Sequence, residues 1–299
     1  MNTSPTFAFF GTPDIAVAVL EELEQAGFLP ALVVTNPDRP VGRKQVITAP
    51  PVKLWAESRE IPVFQPESLK DKSALAPLFE ISYDLFIVAA YGALIPVHLL
   101  ELPKHGTLNV HPSLLPKLRG ASPIRSAILS DMRETGVTIM QMDAELDHGP
   151  ILTQMNTVID PSAWPVRGRE LDSIMAHQGG ALLADIIPRY LDNAIPPSPQ
   201  DHSEATFCSK ITKADSELAL DPYHLPQGQE AYATLLKIRA FDGWPETFFM
   251  NNGKRIKIKD AAIAFDGSLV ITRIIPEGKS EMDFDAYFTD ANSGQKQLF

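Results

Sequence analysis

A chain of 299 residues, 44% apolar and 21% charged, is long enough to bury one large core or two modest ones and has the balance of an ordinary globular protein. Its one cysteine, Cys208, excludes an internal disulfide framework and predicts a reducing, cytoplasmic setting. A net charge of −11 speaks against a general nucleic-acid binder, so any such role has to rest on local basic patches.

Residues 7–10 read as a short buried strand that runs into Gly11-Thr12-Pro13-Asp14. Thr12 is expected to cap a helix there, with Pro13 at its first position and Asp14 at the positive end of its dipole. Ile15, Val19, Leu20 and Leu23 recur at helical spacing, and residues 31–35 form a second strand. Strand, helix and strand within about thirty residues make a βαβ unit and imply a parallel sheet. Residues 85–90, 107–110 and 137–142 read as further strands, and 122–130 and 171–191 as helices. The apolar run over residues 85–100 is interrupted by Gly92 and Pro96 and is shorter than a bilayer span, so no membrane segment is expected. These elements predict an α/β protein with a Rossmann-like open, parallel-rich sheet, whose ligand crevice lies beyond the carboxyl ends of its strands.

Ala194-Ile195-Pro196-Pro197-Ser198-Pro199 can neither extend a helix nor pair as a central strand. The chain is therefore expected to divide into a catalytic domain over residues 1–193, a stiff linker over 194–205, and a C-terminal domain over 206–299. A helix over 229–239 and short strands at 255–259 and 269–275 give that last part the pattern of a small, OB-like β-barrel.

Two stretches carry chemistry. Asn109 and His111, two apart at a strand end, leave the same face of the sheet. An amide donor and a titratable donor placed so can stabilise an oxyanion, although polar residues at loop starts also satisfy local backbone. Asp147, in Leu146-Asp147-His148-Gly149, follows a strand and so lies on the crevice side. A carboxylate beside an imidazole holds its tautomer, whereas the plainer role is capping a turn whose Gly149 takes positive φ. A metal site on His111, Asp147 and His148 is a third possibility. The dinucleotide fingerprint and the phosphate loop are both absent from the sequence. Cys208 has no base near it in sequence and is not expected to be a nucleophile.

At these motifs the chain resembles the folate-dependent formyltransferase superfamily, in its branch that acts on initiator tRNA. The resemblance runs nearly end to end: Phe10-Gly11-Thr12-Pro13-Asp14, residues 37–43 (Pro-Asp-Arg-Pro-Val-Gly-Arg), Ala90-Tyr91-Gly92, Asn109-Val110-His111 with Ser113-Leu114-Leu115-Pro116, Arg119-Gly120-Ala121, residues 135–143, Leu146-Asp147, and Arg239-Ala240-Phe241 with Trp244-Pro245. Departures include Ile15 in place of an aromatic residue, Pro112 in place of a small one, and His148-Gly149-Pro150 where Thr-Gly-Asp is usual.

The resemblance implies a transferase that moves the formyl group of 10-formyltetrahydrofolate, without a metal, onto methionyl initiator tRNA at the start of translation. It makes Asn109, His111 and Asp147 the catalytic trio. It assigns Ser113, Leu114, Leu115 and Pro116 to folate contact, with Phe86, Ala89 and Tyr91 around the pterin pocket. It assigns Arg43 to the acceptor end of the tRNA, and the clustering of basic residues in that loop adds Arg39 and Lys44. The C-terminal Lys254-Arg255-Ile256-Lys257-Ile258-Lys259 alternates, so Arg255, Lys257 and Lys259 share one strand face and are expected to meet tRNA phosphates. Lys53, Lys117, Arg119 and Arg125 add to the basic patches. A monomer is expected. The alternatives are a sugar-nucleotide N-formyltransferase acting on a dideoxyamino sugar, a catalytically inactive folate- or RNA-binding regulatory protein, and a metal-dependent hydrolase.

Overall fold

A computed structural model describes residues 4–42 and 44–293 of the chain, in two compact units. One takes in the chain up to Pro123, Glu134–Val158 and Asp172–Cys208; the other takes in Ile124–Arg133, Ile159–Leu171 and the chain from Ser209 onward. Residues 194–208, which the sequence places in the linker and the start of the C-terminal domain, fall within the first unit.

The first unit contains β1 (Phe7–Phe10), β2 (Leu32–Val34), β3 (Arg39–Val41), β4 (Val46–Thr48), β5 (Val63–Phe64), β6 (Leu85–Val88), β7 (Thr107–His111), β8 (Arg119–Gly120), β9 (Thr135–Gln141), β10 (Ile151–Thr157) and β11 (Phe207–Cys208). Seven strands form one sheet in the order β10-β9-β7-β6-β1-β2-β5. The five from β5 to β7 run parallel, and β9 and β10 are antiparallel additions. The Phe-Ala-Phe-Phe of β1 and the Leu-Phe-Ile-Val of β6 are buried at every position. Such unbroken apolar runs suit central strands covered on both faces. From β1 the chain builds outward to β2 and β5, then returns to lay β6 and β7 on the other side. That reversal opens the crevice between the carboxyl ends of β1 and β6.

Aromatic packing fixes the floor of this region. Phe10 and Phe86 lie 5.0 Å apart, and Tyr91 meets Phe10 edge-on at 5.5 Å. Thr12 does not cap the helix Asp14–Gln25, which has Pro13 at its cap position. Its hydroxyl instead donates to the Tyr91 carbonyl at 3.2 Å, which also accepts from Asn36 Nδ2 at 3.1 Å. The ends of β1 and β2 thus tie down the loop after β6. Among the described residues no helix is long and apolar enough to cross a membrane.

The second unit contains an antiparallel sheet of β12 (Phe248–Asn251), β13 (Lys254–Ile263), β14 (Leu269–Pro276) and β15 (Met282–Asp283), paired in chain order. Register shifts around Asp260 bend β13. Ala231, Leu235 and Ile238 of the helix Gly228–Ala240 pack with Phe249, Ile256, Ile258, Ile274, Phe284 and Phe288 in one core. Ile256 and Ile258 are buried, as their alternation with charged residues requires.

The basic face of β13 is not a row of unpaired charges. Lys257 and Lys259 both bind the carboxylate of Glu246, Lys259 at 2.6 Å. The Arg255 guanidinium sits 3.5 Å from the centroid of the Phe248 ring. Burial pushes the Glu246 carboxyl up, but hydrogen bonds from the two lysines outweigh it and hold the group below its ordinary value. A carboxyl depressed in the folded state adds stability above its unfolded pKa and loses it as pH falls through the folded value. Glu246→Gln is therefore expected to lower the urea midpoint of the protein at neutral pH. The difference should shrink once pH falls below about 4.5. A gap that stays constant across that range would remove the carboxylate's charge from the explanation.

Candidate active site

β7 delivers two of the predicted residues. Asn109 and His111 are buried and leave one face of the strand, paired with Met140 and Thr138 of β9. The third, Asp147, arrives on the loop after β9 and faces His111, with Nδ1 and Oδ1 3.6 Å apart and both side chains nearly excluded from solvent. His111 Nε2 lies 3.0 Å from the Leu118 carbonyl. A carbonyl only accepts, so Nε2 carries the proton and Nδ1 is the nitrogen turned to the carboxylate. With Nε2 donating to that carbonyl and Nδ1 turned to the carboxylate at 3.6 Å, the ring as placed offers no N–H to a substrate oxygen. The Asn109 carboxamide is the donor of the pair left available.

Asp147 occupies the left-handed region, with φ +48°. Short polar side chains tolerate that region best among residues that carry a Cβ. The sequence assigns positive φ to Gly149, but the residue that takes it is Asp147. Gly149 is required for a different reason, since a Cβ there would fall on the Gln141 carbonyl. The second carboxylate oxygen of Asp147 accepts from the Gly120 N–H at 2.7 Å. His148 turns away from the pair, its Nδ1 2.7 Å from Asp143 Oδ2 and its ring stacked on His202 at 4.1 Å. Among the described residues no group of three or more His, Cys, Asp or Glu is disposed to hold a metal ion.

The segment after His111 is fixed from three sides. Thr138 Oγ1 donates to the Ser113 carbonyl at 2.6 Å and accepts from Leu115 N at 3.1 Å. Gln154 Nε2 donates to the Leu115 carbonyl at 2.8 Å, and Ser113 Oγ donates to Lys117 O at 2.6 Å. The Leu115-Pro116 peptide is cis. Leu118 N donates to Thr206 Oγ1 at 2.9 Å, and Arg119 N to Thr206 O at 2.8 Å, which places β11 beside β8. Ser113 and Leu115 are buried, while Leu114 and Pro116 are partly exposed.

Ala89 and Tyr91 follow β6 directly at the switch of strand order, and burial pushes the Tyr91 phenol up to about 12. Phe86 lies deeper, wholly enclosed between Phe10 and Tyr83. Arg39 sits on the exposed β3–β4 hairpin, paired with Glu67 at 2.7 Å, and Lys44 is exposed at its turn. Arg43 lies outside the described residues. Lys53 adds no free charge to this region, because Asp38 binds it at 2.8 Å. Arg119 belongs to no surface patch either: it is 4% exposed and donates to Gln200 and His202. Sequence reasoning passed over Gln154, Gln200 and Thr206. Only the interruption by prolines marked the region of the last two, and it reads as a linker.

Residues 6–167 match the formyl transferase family model. The chain is 44% identical to a methionyl-tRNA formyltransferase of Halalkalibacterium halodurans, across 84% of this chain and 76% of that one. Among solved structures, it resembles a methionyl-tRNA formyltransferase from Clostridium thermocellum (TM-score 0.57, 15% identity, 91% of this chain and 98% of that one). It also resembles an N-formyltransferase from Helicobacter canadensis in complex with folinic acid and dTDP-3-aminofucose (TM-score 0.64, 19% identity, 91% and 100%). The shared fold therefore does not separate one acceptor from another; the sequence identity does.

Proposed function

The chain belongs to the methionyl-tRNA formyltransferase family, and from that premise we propose that it moves the formyl group of 10-formyltetrahydrofolate onto the α-amine of methionine carried by initiator tRNA. The observation that carries the reading is the buried pairing of His111 with Asp147, on the strand face that also presents Asn109. Attack of an amine on a formyl carbon places negative charge on the formyl oxygen, and the Asn109 carboxamide donates to it. A donor of this kind accounts for roughly 10²–10³ in turnover. The amine must also lose a proton. Asp147 accepts it, directly or through Nδ1 of His111, whose tautomer the Leu118 carbonyl fixes. The tetrahedral intermediate then collapses, the bond from the formyl carbon to N10 breaks, and the proton taken up at Asp147 passes to N10 of the departing tetrahydrofolate.

Ser113, Leu114, Leu115 and Pro116 are assigned to the folate, with Ala89 and Tyr91 at the mouth of the pocket and Phe86 supporting its floor. Arg39, Arg43 and Lys44 are assigned to the acceptor end of the tRNA, and Arg255, Lys257 and Lys259 to its phosphates. Phosphates at that last face have to compete with Glu246 for the two lysines.

The test offers the purified protein 10-formyltetrahydrofolate with either charged initiator tRNA or an amino-sugar nucleotide. Formylation of the tRNA-borne methionine alone is expected. Formylation of the sugar amine alone would overturn the acceptor assignment while leaving the chemistry intact.

A further inference from the structure

We infer that Gln200, acting with Arg119, is a positioning residue that sets the reach of Asp147 toward His111. The inference rests on the reading of Asp147 as the proton acceptor and extends it to a residue 53 positions away in sequence.

Gln200 is 5% exposed, and its carboxamide spends its hydrogen-bonding groups on the Asp147 loop and on Arg119. Its Nε2 donates to the Asp147 carbonyl at 3.0 Å and to the Gly149 carbonyl at 2.7 Å. Its Oε1 accepts from Arg119 Nε at 3.1 Å and Nη2 at 2.7 Å. A guanidinium can only donate and a carbonyl can only accept, so the neighbours dictate which way the amide points. Arg119 directly precedes Gly120, whose N–H holds the Asp147 carboxylate. The contacts close into a ring: Asp147 Oδ2 to Gly120 N–H, along the chain to Arg119, across to Gln200, and back to the Asp147 carbonyl. Both the backbone and the side chain of Asp147 are therefore gripped, at a residue whose φ of +48° would otherwise relax.

Reach matters at this point. The 3.6 Å between His111 Nδ1 and Asp147 Oδ1 exceeds the roughly 2.7–2.9 Å of a strong charge-assisted hydrogen bond. A few tenths of an ångström in loop position therefore decides whether the pair engages. No other described residue donates a side-chain hydrogen bond to both carbonyls, and Arg119 has a second fixed partner in His202 Nδ1 at 2.8 Å. Gln200 and Arg119 contribute no group to the reacting atoms. Their effect on the reaction passes entirely through Asp147.

The experiment is a double-mutant cycle on the full chain, read as kcat and as KM for both substrates. Gln200→Ala is expected to lower kcat by roughly 10²-fold, the scale of a misplacement near 1 Å, with both KM values within about threefold of wild type. In an Asp147→Asn background the same change should lower kcat by less than about twofold, because the residue it positions no longer accepts a proton. Gln200→Glu keeps the acceptor for Arg119 but turns an oxygen on the two carbonyls, and should lose as much kcat as Gln200→Ala. Equal kcat losses in the two backgrounds, or a loss confined to KM, would make Gln200 structural only and end the inference, as would failure of both variants to fold. If Asp147→Asn itself keeps near-normal kcat, the reading of Asp147 fails instead, and the two failures are told apart within one data set.

Discussion

Asp147→Asn and His111→Ala are each expected to lower kcat by roughly 10²–10⁴-fold, the scale of a lost general acid–base group, while folate binding in the absence of the acceptor stays close to wild type. The asparagine is nearly isosteric, and its side-chain oxygen can still accept from the Gly120 N–H. The loop therefore keeps its anchor and loses only the charge and the capacity to take a proton. His111→Ala removes the ring that joins the Leu118 carbonyl to that carboxylate. Neither role is exercised before the amine attacks, so the penalty belongs to the transition state and appears in kcat with KM little changed. Single-turnover formylation under saturating substrate, together with folate titration of each variant, checks both halves. A variant that binds folate normally and turns over within about tenfold of wild type would falsify the assigned role.

Gly120→Ala should carry the largest stability cost of any single methyl addition near the site. Gly120 has φ +119°, and a Cβ there would land on the Cys208 carbonyl across the β8–β11 pair. Backbone strain and overpacking each contribute about 1–3 kcal/mol in such settings, so a loss of roughly 3 kcal/mol is expected in urea unfolding. Turnover should fall with it, because any rotation that relieves the clash moves the N–H that holds Asp147. An unfolding midpoint equivalent to wild type within about 0.5 kcal/mol would mean that β11 gives way at no cost, and with it the case that residues 206–208 fix the loop.

What the sequence disclosed and what it withheld follow from the range of the interactions. Asn109 and His111 share a face because strand parity is local, and β1 and β6 announce themselves by apolar runs without alternation. The alternation in β13 likewise predicts the buried Ile256 and Ile258. Contacts made across many residues carry no such signature. Glu246 is eleven residues from Lys257, and nothing in the basic strand says that a carboxylate folds back onto it. β10, with three consecutive exposed positions, lacks the buried run that marks β1, β6 and β7, and so the antiparallel edge has no signal in the sequence. Prolines at 196, 197 and 199 do exclude a helix, as expected. They do not exclude that the chain just beyond them pairs with β8 and with the loop that carries Asp147.

That pairing bears on when the site comes into being. The contacts that shape it join Leu118 to Thr206 and Arg119 to Gln200, 88 and 81 positions apart, whereas β1 finds β2 within about thirty residues. Closing a loop of that length costs entropy before any contact repays it, so such contacts form late. During synthesis, which adds roughly 5–20 residues per second, the parallel strands can assemble several seconds before residue 208 exists. A nascent chain would own its sheet for that interval without yet owning the contacts that hold Asp147 in place.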